Sequence, residues 1–253
     1  MTTRPVLLFL LILVAARELP AQTPEQQLRQ ANQLYQQGKF PEAREAYGAI
    51  LRSGLESPEL LYNLGNACYK CGAIPAAILN YERARRLLPG DDDLRHNLQI
   101  AGMVITDRIE PAPRLFVWDY WDGIKNWFSL FGLTLTVYLF YALLAVMASA
   151  FFLARTYALR KIALLAGCVT FVLFLFLLVV LIARLGDVTR TDEGIVMSQI
   201  VTVKNSPDAK SSDAFVLHGG VKVQLIDSVG GWSKVRIADG KVGWLEASAV
   251  EVI

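Results

Sequence analysis

The sequence predicts a multidomain chain in three parts: an all-α region of paired helical repeats, two transmembrane α-helices, and an all-β small barrel. Three observations predict it. Glycine, alanine and tyrosine recur at an interval of 34 residues in the first half, Gly38 with Gly72, Ala43 with Ala77 and Tyr47 with Tyr81. Two uncharged runs, Asn126 to Ala154 and Ile162 to Ala183, flank the segment Arg155 to Lys161, which holds three basic residues and no acid. Beyond the second run the pattern changes to short stretches of alternating apolar and polar residues separated by turn formers. A chain of 253 residues with 54% hydrophobic content is unusual for one soluble domain and fits two small domains around a membrane segment.

The first expected element is a signal peptide over residues 1–21. Arg4 precedes an apolar stretch from Val6 to Ala16 that is too short to span a bilayer but has the length of a secretory signal. Cleavage after Ala21 or after Ala16 fits the small residues there, and no nearby cysteine would make a lipoprotein. An uncleaved anchor is the other reading of the same run.

Residues 22–110 are expected to form paired helices, with units at about 24–57 and 58–91 and a capping helix over 92–109. The second unit reads Leu61-Tyr62-Asn63-Leu64-Gly65, then Gly72, Ala77, Tyr81, Ala84 and Pro89. This series, with its period of 34, resembles the tetratricopeptide family. The first unit keeps Gly38, Ala43 and Tyr47 but has Gln27, Gln30 and Ala31 where the second has Leu61, Leu64 and Gly65, as a degenerate terminal repeat would. Small residues such as Ala43, Ala77 and Ala84 let paired helices approach while Tyr47 and Tyr81 fill the groove between them. The acidic run Asp91 to Asp93 suits a helix N-terminus, where the backbone carries partial positive charge.

In arrays of this family the first helix of each pair forms the concave face. Three sets recur there at the same interval: Leu28, Tyr62 and His96; Asn32 and Asn66; Asn63 and Asn97. Amide side chains donate and accept, so these seven residues are a candidate peptide-binding groove that holds an extended backbone without reading its sequence. The competing reading gives Asn63 and Asn66 a local role at helix ends and turns. Relatives that clamp a terminal carboxylate add lysines to such asparagines, whereas Asp93 stands where a lysine would be expected.

Cys68 and Cys71 form a C-x-x-C spacing, but they fall at the C-terminal end of a helix closed by Gly72, where the dipole opposes a thiolate. Cys68 is therefore expected in the core, with Cys71 free or paired to it, and Cys168 is a small apolar residue of the second span. A zinc site needs two further ligands, and His96 and His218 are the chain's only histidines. With no phosphate loop, metal-ligand cluster or nucleophile with a histidine partner, the chain is expected to be no enzyme and to need no cofactor. Residues 22–110 carry ten basic and eleven acidic side chains, and residues 184–253 eight and nine, so neither part presents the basic excess that nucleic acid requires.

Pro111 and Pro113 break the helical pattern, and Phe116, Trp118, Tyr120, Trp121, Trp127 and Phe128 then crowd together, as aromatic residues do at a bilayer interface. Residues 111–128 are thus an interfacial aromatic linker; a docking site for a partner's membrane domain is the alternative. Residues 129–153 and 162–183 each exceed the ~20 apolar residues that a span needs. The basic turn 154–161 belongs on the cytoplasmic side, which puts both soluble parts on the outer side of a bacterial inner membrane, in the periplasm.

Strands are expected at Ile195 to Met197, Val201 to Lys204, Phe215 to Leu217, Val221 to Ile226, Trp232 to Ile237 and Val242 to Leu245. Val221, Val223 and Leu225 alternate with Lys222 and Gln224, as half-buried strands of a closed small sheet require. Val201-Thr202-Val203 with Pro207, the turn His218-Gly219-Gly220, Trp232 and Gly240-Lys241-Val242-Gly243-Trp244 make residues 192–253 resemble the bacterial SH3-like family. The resemblance makes Trp232, Trp244 and the loop Ser206 to Asp213 a candidate ligand surface, possible ligands including peptidoglycan; the plainer reading has Trp244 sealing the barrel's open end.

The order of these modules resembles the E-type proteins of the Bat aerotolerance group across nearly the whole chain. Asp93-Leu94-Arg95-His96-Asn97-Leu98, Thr106-Asp107-Arg108-Ile109-Glu110-Pro111 and Gly194-Ile195-Val196-Met197 resemble that group's connecting segments. The resemblance implies a role in oxidative or envelope stress beside membrane proteins with von Willebrand factor A domains and a MoxR-type ATPase. The expected function is a non-enzymatic adaptor tethered to the lipid bilayer. The alternatives are a cell-wall sensor that binds peptidoglycan through the barrel, and a subunit of an envelope machine whose active centre lies elsewhere.

Overall fold

The computed structural model describes residues 23–127, 129–189 and 191–253, so the signal peptide expected over 1–21 lies outside the described residues. The chain divides into two compact units between residues 55 and 56. The first holds α1 (Pro24–Gln36) and α2 (Phe40–Arg52). Thr23 and Gln26 form a reciprocal capping box ahead of Pro24, which satisfies backbone N–H groups that the first turn cannot. Gly38 takes a left-handed turn between the helices. Ala31, Ala43, Tyr47 and Ile50 are buried.

The second unit opens with the equivalent pair, α3 (Pro58–Lys70) and α4 (Ile74–Leu87), followed by α5 (Asp92–Val104). Ser57 caps α3 and Asp91 caps α5, each side chain accepting a backbone N–H three residues on. Gly72 repeats the left-handed turn of Gly38. A Cβ on Gly65 would come within 2.6 Å of the Tyr81 ring, so only glycine lets α4 lay that ring on α3. Cys68 is buried in this core as expected, while Cys71 is half-buried and Cys168 exposed, both as free thiols.

The capping helix expected to reach residue 109 stops at Val104, because Ile105 turns to extended backbone. Residues 105–112 form a strap across the β domain instead. The Asp107 carboxylate accepts the His218 backbone N–H at 2.7 Å and meets His218 Nδ1 at 2.8 Å. Ile109 packs on the β-domain core, and the Ala112 N–H donates to the Ala238 carbonyl.

Within the linker expected over 111–128, Phe116–Trp127 is helical (α6). Trp118, Tyr120 and Trp127 are exposed, while Lys125 Nζ reaches Asp187 at 2.7 Å and Asp122 at 3.1 Å. Arg114 completes the cluster with Asp119 and Asp122. Two helices long and apolar enough to cross a membrane follow, α7 (Leu130–Leu153) and α8 (Tyr157–Thr189), and most of their surface is exposed. They pack along a seam that buries Leu133 and Val137 of α7 and Ala163, Thr170 and Val180 of α8. The turn expected over 154–161 is confined to residues 154–156, and the helix expected over 162–183 runs further at both ends. A helix's hydrogen bonds do not stop where its apolar stretch stops.

The β domain is a seven-stranded antiparallel sheet: β1 (Glu193–Val196), β2 (Ile200–Lys204), β3 (Asp213–His218), β4 (Lys222–Val229), β5 (Trp232–Arg236), β6 (Val242–Glu246) and β7 (Val250–Val252). The order is β3-β2-β6-β5-β4-β1-β7, and a single core of Val196, Val203, Leu217, Val223, Val235 and Leu245 lies inside it. This is the SH3-like arrangement anticipated, with two differences: the edge strands β3 and β7 lie at opposite ends of the hydrogen-bonded order, and β7 was not foreseen. Helix α4 covers the β7 edge. Arg83 donates to the Val252 carbonyl at 2.6 Å and pairs with Glu251, while Arg86 donates to the Ile253 carbonyl at 2.5 Å. Lys222 joins Glu82 of α4 to Glu193 of β1. From α8, the buried Arg184 donates to the Arg86 carbonyl at 2.8 Å.

Burial opposes the Asp122 charge, but hydrogen bonds from Lys125 and Arg114 hold its carboxyl below the usual range. Burial also opposes the Lys125 ammonium, yet Asp187 and Asp122 hold its pKa above the usual value. The depressed acid stabilises the docked α6 above its unfolded pKa and loses that effect as pH falls through the folded one; the raised base stabilises below its unfolded pKa and loses that effect as pH rises through the folded one. The α6 tryptophan emission of the full chain carrying Trp232→Phe and Trp244→Phe is therefore expected to stay constant from about pH 5 to about pH 10 and to shift outside that window. A transition near neutrality would show that these charges do not dock the helix.

Candidate functional site

The residues expected in the groove fall on α1, α3 and α5. In the first unit Asn32 Oδ1 accepts the Tyr47 hydroxyl at 2.6 Å. The same contact recurs 34 residues on, where Asn66 Oδ1 accepts the Tyr81 hydroxyl at 2.7 Å. Asparagine on the first helix of a pair thus holds the tyrosine of the second, so both amide oxygens are turned toward their own repeat. These oxygens satisfy tyrosine hydroxyls that burial would otherwise leave unpaired.

In the second unit the network extends. Asn97 Nδ2 donates to the Tyr62 hydroxyl and to Asn66 Oδ1, both at 2.9 Å, and the Tyr62 and Tyr81 ring centroids lie 6.0 Å apart. Three of the expected residues, Tyr62, Asn66 and Asn97, are therefore brought together and fix α5 against α3. Asn63 is half-buried, His96 is exposed on α5, and Leu28 is half-buried on α1 in the first unit. Groups that can still meet a ligand are the Asn66 amide N–H, the Asn97 amide oxygen, the Tyr62 O–H and the His96 ring, a mixture of donors and acceptors.

Beside Tyr62 a concavity of about 450 Å3 is lined by Pro58, Ala84, Leu88 and Leu94 with the carboxylates of Glu59, Asp91 and Asp93. No basic side chain lines it. A bound carboxylate would be repelled there.

On the β domain, Val235, Gly243 and Leu245 are buried, which turns Trp232, Lys234 and Trp244 to the opposite, outer face of β5 and β6. The position expected for Trp244 at the barrel mouth is thus corrected to the sheet's outer face. Trp244 lies opposite Lys204 on β2 and Lys234 on β5, with Lys234 Nζ 5.7 Å from its ring centroid. Trp232 is its diagonal neighbour, opposite Glu246. The loop from Ser206 to Asp213 is braced by Ser206 and Ser211, whose hydroxyls lie 2.8 Å apart, and by Lys204 with Asp213 at 2.6 Å. Sequence reasoning missed two long-range features, the Asp107–His218 pair and the Arg83–Arg86 grip on β7. Neither carries a local signal.

Comparison with known families gives two matches. Residues 28–92 match the tetratricopeptide repeat family, and residues 201–251 match the bacterial SH3 domain family. No curated protein matches the chain. Both modules are of kinds that serve protein interaction or cell-wall binding and are typically non-catalytic.

Asn66→Ala removes an acceptor shared by Tyr81 and Asn97, and is expected to destabilise the full chain in detergent by about 1–3 kcal/mol in thermal unfolding. His96→Ala on the exposed face of α5 should change it by no more than about 0.5 kcal/mol. Equal effects from both would show that the asparagine network is not what holds α5.

Proposed function

We propose that this chain is a non-enzymatic adaptor of the bacterial inner membrane that presents its tetratricopeptide and SH3-like modules together in the periplasm. The observation that carries this reading is the joint held by Arg83, Arg86 and Arg184. It fixes the second repeat and the β domain to the same end of α8, opposite the end that bears Arg155, Arg160 and Lys161. Positive residues favour the cytoplasmic side, so the shared end faces outward. Two interaction surfaces on one rigid mount raise each other's effective concentration for a partner that meets both.

The resemblance of the module order and connecting segments to the Bat group's E-type proteins supports a place in an envelope or oxidative stress complex. Its partners there would be membrane proteins with von Willebrand factor A domains and a MoxR-type ATPase. The exposed aromatic side chains of α6 supply contact with the bilayer surface. A second reading, a sensor of peptidoglycan, is favoured by one feature: Trp244 between Lys204 and Lys234 offers stacking and positive charge to the acidic peptides of a cell wall.

In a chain with Cys68, Cys71 and Cys168 replaced by alanine, cysteines placed at Glu45 and Lys210 are expected to react with a membrane-impermeant maleimide in intact spheroplasts, and one at Thr156 only after lysis. Labelling of Thr156→Cys from outside would reverse the orientation. Crosslinking of the tagged full chain in cells, followed by detergent extraction, is expected to recover membrane proteins with von Willebrand factor A domains. Recovery of wall fragments alone would replace the adaptor with the sensor.

A further inference from the structure

We infer that two copies of this chain associate within the bilayer through the face of α7 that carries Tyr138 and Tyr141. The inference rests on the reading of α7 and α8 as membrane spans. Helix α7 turns Leu133, Val137, Leu144 and Met147 toward α8. One residue further on runs a second stripe, Thr134, Tyr138, Tyr141 and Ala145, and all four are exposed.

Tyrosine normally sits at the membrane interface, where its hydroxyl reaches water. These two do not. Tyr141 lies at the middle of the 24-residue helix, which is about 36 Å long. Its ring centroid is 6.4 Å from that of Phe174, which lies well inside the uncharged run between Lys161 and Arg184 on α8. Tyr138 is less than one turn away. Their side chains are 70% and 63% exposed, Tyr138 the more so, and neither hydroxyl has a hydrogen-bond partner among the described residues. The nearby Thr134 and Ser149 hydroxyls differ, since each donates to a carbonyl of its own helix at 2.8 Å.

A hydroxyl left unpaired in hydrocarbon is strongly disfavoured. What covers it must offer a hydrogen bond and lie at mid-membrane. A second copy does both. A tyrosine hydroxyl donates and accepts, so two identical faces related by a two-fold axis along the membrane normal satisfy one another. Ala145, one turn toward the cytoplasmic end, lets the two helices approach closely.

The test uses the full chain in membranes, with Cys68, Cys71 and Cys168 replaced by alanine and one new cysteine on α7. Ala145→Cys is expected to resist a water-soluble maleimide and to give a disulfide-linked dimer on oxidation, whereas Leu139→Cys, also exposed but on another side of the helix, gives none. Adding Tyr138→Phe and Tyr141→Phe should weaken self-association roughly tenfold. If Ala145→Cys is shielded yet stays monomeric, or links only to a different protein, the second copy is wrong while the spans stand. If the maleimide labels it, the spans themselves are wrong and the inference falls with them.

Discussion

The two arginines in the last turns of α4 hold the second unit together. Arg83 and Arg86 reach the carbonyls of Val252 and Ile253, and the Arg86 carbonyl is in turn taken by Arg184 of α8. A repeat helix, a β-sheet edge and a membrane-length helix thus meet over a few residues. The geometry is favourable for several reasons. A cation at a helix C-terminus is attracted to the unsatisfied carbonyls there, which is where Arg184 sits. Arg83 and Arg86 are largely shielded from solvent, so their pairs with Glu251 and Glu193 are screened less than ordinary surface pairs. The edge strand β7, which would otherwise offer its backbone to any passing strand, is covered.

This joint also explains the length of α8. A span needs about 20 residues, and α8 has 33. Its last turns carry Arg184 and Asp187, which hold α4 and α6 respectively. Because the helix is unbroken, these two contacts are fixed at a set distance from the apolar stretch. The second repeat and α6 are therefore mounted directly on α8, where the sequence implied a tether between separate modules.

The legible parts of the chain were those with a period. An interval of 34 located both helix pairs, the uncharged runs located α7 and α8, and alternation located six of the strands. Strand β7 escaped because Val250, Glu251 and Val252 are too few for alternation to stand out. The asparagine–tyrosine contacts were half legible. Asn32 with Tyr47 and Asn66 with Tyr81 share a separation of 15 residues, a regularity visible in the sequence but read as two unrelated sets, amides for a ligand and rings for packing. Contacts across 111 residues, such as Asp107 with His218, or 168, such as Arg83 with Glu251, leave no local trace. They depend on the course of the chain between them, and periodicity is silent about that.

The pairing of β1 with β7 brings together the first and the last strand of the β domain. Ile253, just beyond β7, is buried and its carbonyl accepts from Arg86. The sheet is therefore closed on α4 by a strand more than 160 residues further along the chain, so that loss of the β7 pairing would release the repeat helix and the β domain from each other in one step.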